Sequence, residues 1–273
     1  MNLEAATKLQ MVVWLFSLSP FAASFAPPDA DGLAPRLHLS PPLSDPRVRA
    51  PVLLPLAAVG ASVGPAVDAV HNAALLQYDV LPLDVPLVDA HTSYLIPPLL
   101  ALTYAIIGGV LASAFDAALG RKLLVAPPSR LASLSARQRA GLAVGSTVLI
   151  VKASELLTTA PAESTPGLDV LLLGALCLVQ WAALDGSRAA LALALTVAAV
   201  GPLAELPFIA AGCWHYTHPD VFPLAAQLGE GSWAGLGLHH VTPPCYFAVA
   251  TDTIAVGRWL NDESDEAQRR ATA

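Results

Sequence analysis

Charge is scarce in this chain: 13% of its 273 residues are Asp, Glu, Lys or Arg, about half the ~25% of a soluble domain. A soluble globule needs a charged surface to cover its core, and this composition cannot make one. Positive charge is scarcer still. Fourteen Lys and Arg stand against 21 Asp and Glu, a net charge of −7, which excludes the basic surface that nucleic-acid binding requires. Only three cysteines occur, Cys177, Cys213 and Cys245, in or beside apolar runs and without C-x-x-C spacing, so neither a disulfide scaffold nor a structural zinc site is supported. No H-E-x-x-H, G-x-S-x-G or Gly-rich phosphate loop appears. A periodic Arg series and an internal repeat are missing as well, which removes voltage sensing and disfavours a transporter built from repeated halves.

What the chain has instead is aliphatic residues. Hydrophobic residues make up 55% of it, mean hydropathy is +0.59, and the long runs are rich in Ala, Leu and Val. That is the composition of an all-α polytopic membrane protein. Its 24 prolines exceed the ~5% average; Pro55, Pro65, Pro97, Pro98, Pro202 and Pro207 fall within or at the ends of apolar stretches, so kinked or broken helices are expected.

The first 24 residues read as a signal peptide: Lys8, an apolar run from Met11 to Phe21, then the small Ala22, Ala23 and Ser24. The following Phe25-Ala26-Pro27-Pro28 resembles the junction of bipartite plastid presequences in algae. Residues 25–50 are then a Pro-rich linker or transit segment, although Asp29, Asp31 and Asp45 run against a transit peptide.

Six apolar stretches follow, Pro51 to Val67, Thr92 to Phe115, Ala140 to Thr159, Gly167 to Leu184, Ala189 to Trp214 and Val241 to Leu260, each near the ~20 residues that cross a bilayer. Residues 261–273 are left as a polar tail. Basic residues alternate between the connections. Three Arg precede the first span, five Arg or Lys lie between the second and third, Arg188 follows the fourth, Arg269 and Arg270 follow the sixth, and none lies in the other connections. Both termini therefore face the cytosol, or the stroma of a plastid. The fourth span is the tightest, with fifteen uncharged residues between Asp169 and Asp185.

Several motifs resemble Insig (insulin-induced gene) proteins in order along the chain. Trp181-Ala182-Ala183-Leu184-Asp185-Gly186-Ser187-Arg188 is similar to the Trp, Asp, Ser and Arg element closing that family's fourth helix. His215-Tyr216-Thr217-His218-Pro219-Asp220-Val221-Phe222 is similar to the end of its fifth, and Pro244-Cys245-Tyr246-Phe247-Ala248 through Gly257-Arg258-Trp259-Leu260 aligns with its sixth. Pro97-Pro98, Gly108 and Asp116 through Gly120 match the second helix, and Lys152-Ala153-Ser154 stands at a His-Ala-Ser of the third. The resemblance spans about residues 50 to 260 and implies a six-transmembrane-helix bundle of Insig type over 51–260. It departs at Val249 and Ala250, where the family has two glycines, at Asp252 and Ala255, and in a longer Gly-rich loop between Phe222 and Pro244.

Ionisable groups in lipid cost about 2.5–3.5 kcal/mol each unless paired or hydrated, so Lys152, Glu155, Glu205 and Asp252 are expected to face the bundle interior. Lys152 could pair with Asp252 or Glu205. Such groups either line a lipid-binding cavity or form an inert buried pair that fixes helix register. Asp185 and Arg188, three residues apart, can pair at the interface with Trp181 one turn inside; the resemblance implies that Trp181, Asp185 and Arg188 form a partner-binding surface. Gly108-Gly109 and Gly141 to Gly145 are read as close helix contacts. Cys213, His215, His218, Asp220, His239, His240 and Cys245 could make a metal or pigment site on the non-cytosolic face, but they match no zinc spacing, and the favoured reading is interfacial histidines and a hydrated loop.

The resemblance further implies a non-enzymatic protein without cofactor or metal. On that resemblance it is expected to bind a sterol or diacylglycerol-like lipid, with Lys152, Glu205, Asp252, Val249 and Ala250 as the candidate pocket residues, and to retain or regulate a membrane-protein partner in lipid and sterol homeostasis in the endoplasmic reticulum. The presequence and the longer loop favour an alternative, a structural or assembly subunit of a plastid membrane complex.

Overall fold

In lipid, an apolar segment can satisfy its backbone N–H and C=O groups only within its own helix. The computed structural model describes residues 50–70, 75–85, 90–159, 166–225 and 235–272. Among them are six longer helices: α1 Ala50–Asp68, α2 Ile96–Leu119, α3 Ala136–Thr159, α4 Pro166–Leu184, α5 Arg188–Ala210 and α6 Thr242–Thr272. The signal and transit segments expected over residues 1–49 lie outside the described residues, as does part of the Gly-rich loop.

Four helices, α2 to α5, are long and apolar enough to cross a membrane, and Val52–Asp68 of α1 is a shorter apolar helix. The expectation of six spans is met in number of helices but not in hydropathy. α6 carries Asp252 and Arg258 within its apolar half and runs on through the expected polar tail to Thr272. Two boundaries shift because the chain leaves helix for strand. Thr92 and Ser93 belong to β3 Ala90–Ser93, and Trp214 belongs to β4 Trp214–Tyr216 rather than to the fifth helix. β3 pairs antiparallel with β2 Pro82–Val85, and β4 with β1 Leu76–Tyr78 (Leu76 opposite Tyr216, Tyr78 opposite Trp214).

Pro97 and Pro98 occupy the first turn of α2, where their missing N–H groups cost nothing. The expected breaks at proline do not occur: α1 runs through Pro55 and Pro65, and α5 through Pro202 and Pro207. The departure from α geometry falls instead on a π-helical segment of α2, Ala105–Leu111, that contains Gly108 and Gly109.

α6 is the centre of the bundle, packed against α3 and α5 and touching α1, α2 and α4. Ile107, Ile150, Leu157, Leu173, Leu193 and Ile254 form the main core between them. α2 and α6 approach closely at two glycines that face each other: a Cβ on Gly108 would stand 2.4 Å from the Thr253 carbonyl oxygen, and one on Gly257 2.2 Å from that of Gly108. The close-contact reading thus holds for Gly108. It fails for Gly141 and Gly145, whose added Cβ would meet nothing within 4 Å, because that face of α3 is exposed and packs against no helix among the described residues.

Candidate functional site

The bundle has two ends of different chemistry. Near the end that carries β1 and β4, a largely apolar cavity of about 480 Å³ lies between α2 and α5. Exposed Leu102, Ile106 and Val200 on its rim place its mouth on the side of the bundle. A smaller cavity of about 130 Å³ adjoins it and shares Asp68, Leu100, Thr103, Glu205 and Tyr246 as walls.

Glu205 is the polar centre of both cavities. It accepts hydrogen bonds from the Tyr246 hydroxyl (2.8 Å) and the Tyr216 hydroxyl (2.9 Å), with Trp214 Nε1 at 3.4 Å. Three elements converge here. α5 brings the carboxylate, β4 turns Trp214 and Tyr216 inward at alternate positions, and α6 places Tyr246 opposite. Thr242 donates in turn to the Tyr216 oxygen at 3.3 Å, and Tyr78 donates to Asp68 at 2.7 Å on the same cavity wall. Burial pushes the Tyr78 and Tyr216 hydroxyls well above the ordinary phenol value, the nearby Asp68 and Glu205 carboxylates adding to the effect. Both tyrosines therefore stay protonated donors. Tyr246 also packs over Gly201, where an added Cβ would stand 2.2 Å from the ring, so Gly201 gives the tyrosine room to reach Glu205.

The residues expected to bind lipid do not gather in one place. Glu205 lines both cavities and Val249 the smaller one. Lys152 forms a 2.5 Å ion pair with Glu155 one turn along α3, with 43% of its own side chain exposed, and so does not face the interior or reach Glu205 or Asp252. Neighbours on one helix face meet before groups on other helices can. Asp252 and Ala250 are fully buried in the core away from the cavity. The hydroxyls of Tyr104 and Thr147 face the Asp252 carboxylate without reaching full hydrogen-bond geometry. Thr147 also belongs to a buried polar cluster on α3 and α4: Gln180 Nε2 donates to Ser146 and Thr147, both at 2.9 Å.

At the opposite, basic end, Asp185 does not pair with Arg188. Its carboxylate accepts from the Ser187 backbone N–H (2.9 Å) and hydroxyl, and it pairs with Arg258 of α6. Arg258 also donates to Asp116 of α2 at 3.2 Å. Trp181 is buried and donates through its indole N–H to the Ser187 carbonyl (3.0 Å). Arg188 alone of the three is exposed, 3.4 Å from the Gly120 carbonyl. Gly186 locks this turn. At φ +66° its Cα stands against the 122–125 segment, where an added Cβ would lie 2.0 Å from the Val125 oxygen, while Leu124 N–H donates to the Gly186 carbonyl at 2.8 Å. The cavity at this end is only about 40 Å³.

The histidines divide. His215 and His218 are exposed, as an interfacial reading expects, with His215 against Asp79 at 2.7 Å. His239 and His240 depart from it: both are buried, with ring centroids 4.4 Å apart and planes tilted by 35°. Burial lowers the His239 imidazole below its ordinary value, with Asp220 opposing that shift.

Sequence reasoning missed Asp68, Tyr78 and Tyr246 as site residues and gave Tyr216 no role. Tyr216 and Tyr246 both stand inside the quoted family motifs, which was a usable signal. Asp68 and Tyr78 carried none, because only the β1–β4 pairing brings them to the cavity.

No protein-family profile and no curated protein matches the chain. Two crystal structures are similar in fold. One is MvINS, a mycobacterial Insig homologue from Mycobacterium vanbaalenii, and the other a cross-linked trimer of a cysteine variant of MvINS. Each has a TM-score of 0.54 at 20% identity and covers 78% of this chain and 96% of the other. The chain has an Insig-like fold, and its apolar helices are those of a multi-pass integral membrane protein.

Proposed function

We propose that this protein is a non-enzymatic lipid-binding membrane protein of Insig type. It takes a sterol or diacylglycerol-like lipid into the cavity between α2 and α5 and regulates or retains a membrane-protein partner accordingly. The observation that carries the reading is the cavity with Glu205 at its wall. Its volume of about 480 Å³ lies within the ~300–1,000 Å³ of small-molecule sites, and an apolar room with a few convergent polar groups is the usual form of such a site. A hydrocarbon body would fill the apolar part, and a single lipid hydroxyl would donate to Glu205 or Asp68. The lateral mouth gives entry from the bilayer. All six helices span in this reading, α1 being short and α6 having its ionised groups turned inward, and the basic end faces the cytosol. The partner surface lies at that end, around exposed Arg188 and the Asp185 turn. The membrane in question is that of the endoplasmic reticulum, or of a plastid if the presequence is bipartite.

Lipid that stays with the gently purified protein, identified by mass spectrometry, tests this. The natural chain is expected to retain a near-stoichiometric sterol or diacylglycerol-like species. Ala204→Trp, at an exposed small residue on the cavity wall, is expected to lose it, and Glu205→Gln to retain at least tenfold less. Bulk membrane lipid alone, unchanged in both variants, overturns lipid binding and leaves the assembly-subunit reading.

A further inference from the structure

A second constellation lies at the β1–β4 end of the bundle, apart from the cavity. The first turn of α4 supplies Asp169, the segment after β4 supplies Asp220, and the three residues before α6 include His239 and His240. One donor atom from each of Asp220, His239 and His240 lies within 4.8 Å of the others. Asp220 accepts from the His240 backbone N–H at 2.9 Å, and its second oxygen contacts His240 Nδ1. That contact fixes the ring and turns Nε2 the other way. Nε2 is buried, with the side chain 8% exposed, and makes no hydrogen bond. It faces Asp169 Oδ2 at 3.6 Å, the Asp169 side chain being fully buried.

This spacing is too long for a hydrogen bond and fits another occupant. Two ligands each about 2.0–2.2 Å from a tetrahedral zinc ion stand roughly 3.3–3.6 Å from each other. A carboxylate on Nδ1 with Nε2 directed at the metal is also how ligating histidines are held, because the carboxylate fixes the tautomer and raises the basicity of the other nitrogen. A buried imidazole with an unpartnered nitrogen costs free energy that a bound cation would recover. Imidazole and carboxylate donors together suit a borderline divalent ion rather than Ca²⁺ or Mg²⁺, which prefer oxygen.

We propose that the gap between His240 Nε2 and Asp169 Oδ2 holds a divalent transition-metal ion of the zinc class, with Asp220 orienting His240 and His239 close enough to His240 to supply a further donor. The ion ties the start of α4 to the start of α6 across the segment that follows β4. It thereby clamps the end of the bundle where Val241 and Thr242 begin the wall of the smaller cavity. In the sequence Asp220, His239 and His240 stand as candidate metal donors, set aside because no zinc spacing marks them, and Asp169, in a separate segment, carries no signal.

The test uses the full chain in detergent, in a Cys213→Ser background that removes the half-buried thiol. It is stripped with chelator, equilibrated with zinc chloride and desalted. About one zinc per chain is expected by elemental analysis, together with a zinc-dependent rise in melting temperature that magnesium does not give. His240→Gln is expected to weaken zinc binding at least 100-fold. Asp220→Asn is expected to weaken it by about 10–100-fold, as removal of an outer partner does. No retained zinc and no melting shift in the unaltered chain overturns the proposal, as does equal zinc binding by His240→Gln. The melting shift needs no variant, so misfolding of either substitution leaves the proposal open to refutation. Lipid content is a separate readout, so failure here does not touch the cavity reading.

Discussion

The two ends of the bundle use the same resource, a carboxylate buried among donors, in opposite ways. At the basic end Asp116 and Asp185 are held by Arg258, which reaches between α2 and the turn after α4, and the enclosed space is about 40 Å³. At the other end Glu205 is held by tyrosine hydroxyls, and about 480 Å³ stands open beside it. The difference lies in the partners. A guanidinium satisfies carboxylates by filling the space between them with planar, multidentate contacts. Neutral hydroxyls satisfy a carboxylate from one side and leave further acceptor capacity facing outward. Ion pairing closes one end, and hydroxyl capping leaves the other able to hold a guest.

If that contrast is right, Arg258→Met is the most damaging single change. Removing one partner of a buried pair leaves Asp185 without its cation and Asp116 with Arg121 alone at 3.7 Å, at a cost of about 3–5 kcal/mol, read as a large fall in melting temperature. Glu205→Gln should leave stability nearly unchanged while altering retained lipid; equal thermal losses in the two variants break the comparison. Next comes Gly186→Ala. A left-handed residue that gains a Cβ against the Val125 oxygen is expected to lose about 2–3 kcal/mol, whereas Gly145→Ala, on an open helix face, is expected to gain about 0.5–1 kcal/mol; both are read by thermal unfolding. The smallest losses belong to the cavity end. Tyr216→Phe and Tyr246→Phe each remove one hydrogen bond to Glu205, at about 1 kcal/mol apiece, and a double-mutant cycle should show them coupled because they share that acceptor. Strict additivity would mean Glu205 does not bind them as a unit.

The helices were legible because a long apolar run has only one stable backbone form in lipid. Their ends were less so. Thr92 and Trp214 are apolar-flanked and read as span, yet strand pairing takes them, Thr92 with Leu83 and Trp214 with the distant Tyr78. Glu205 was found from the cost of charge in lipid, and the same reasoning misplaced Lys152. Its partner lies one turn along its own helix, and a long aliphatic stem lets the ammonium reach the surface. Asp185 was expected to pair with Arg188, but its partner is Arg258, which lies far along the chain. The resemblance in motif order is matched by the Insig-like fold, although Trp181, Asp185 and Ser187 are engaged within the chain itself.

Composition and periodic hydrophobicity alone determined that this is a helical membrane protein, where most of its helices run, and which of its ends is basic. Those properties follow from transfer of residues between water and lipid, and each residue contributes to them wherever its neighbours lie. Which carboxylate meets a cation, which meets tyrosines, and where an imidazole nitrogen is left facing a buried carboxylate were decided only when the helices packed. Such pairings depend on the crossing and rotation of helices far apart in sequence, set here by the contact of Gly108 with Gly257 and by the β1–β4 strand pair.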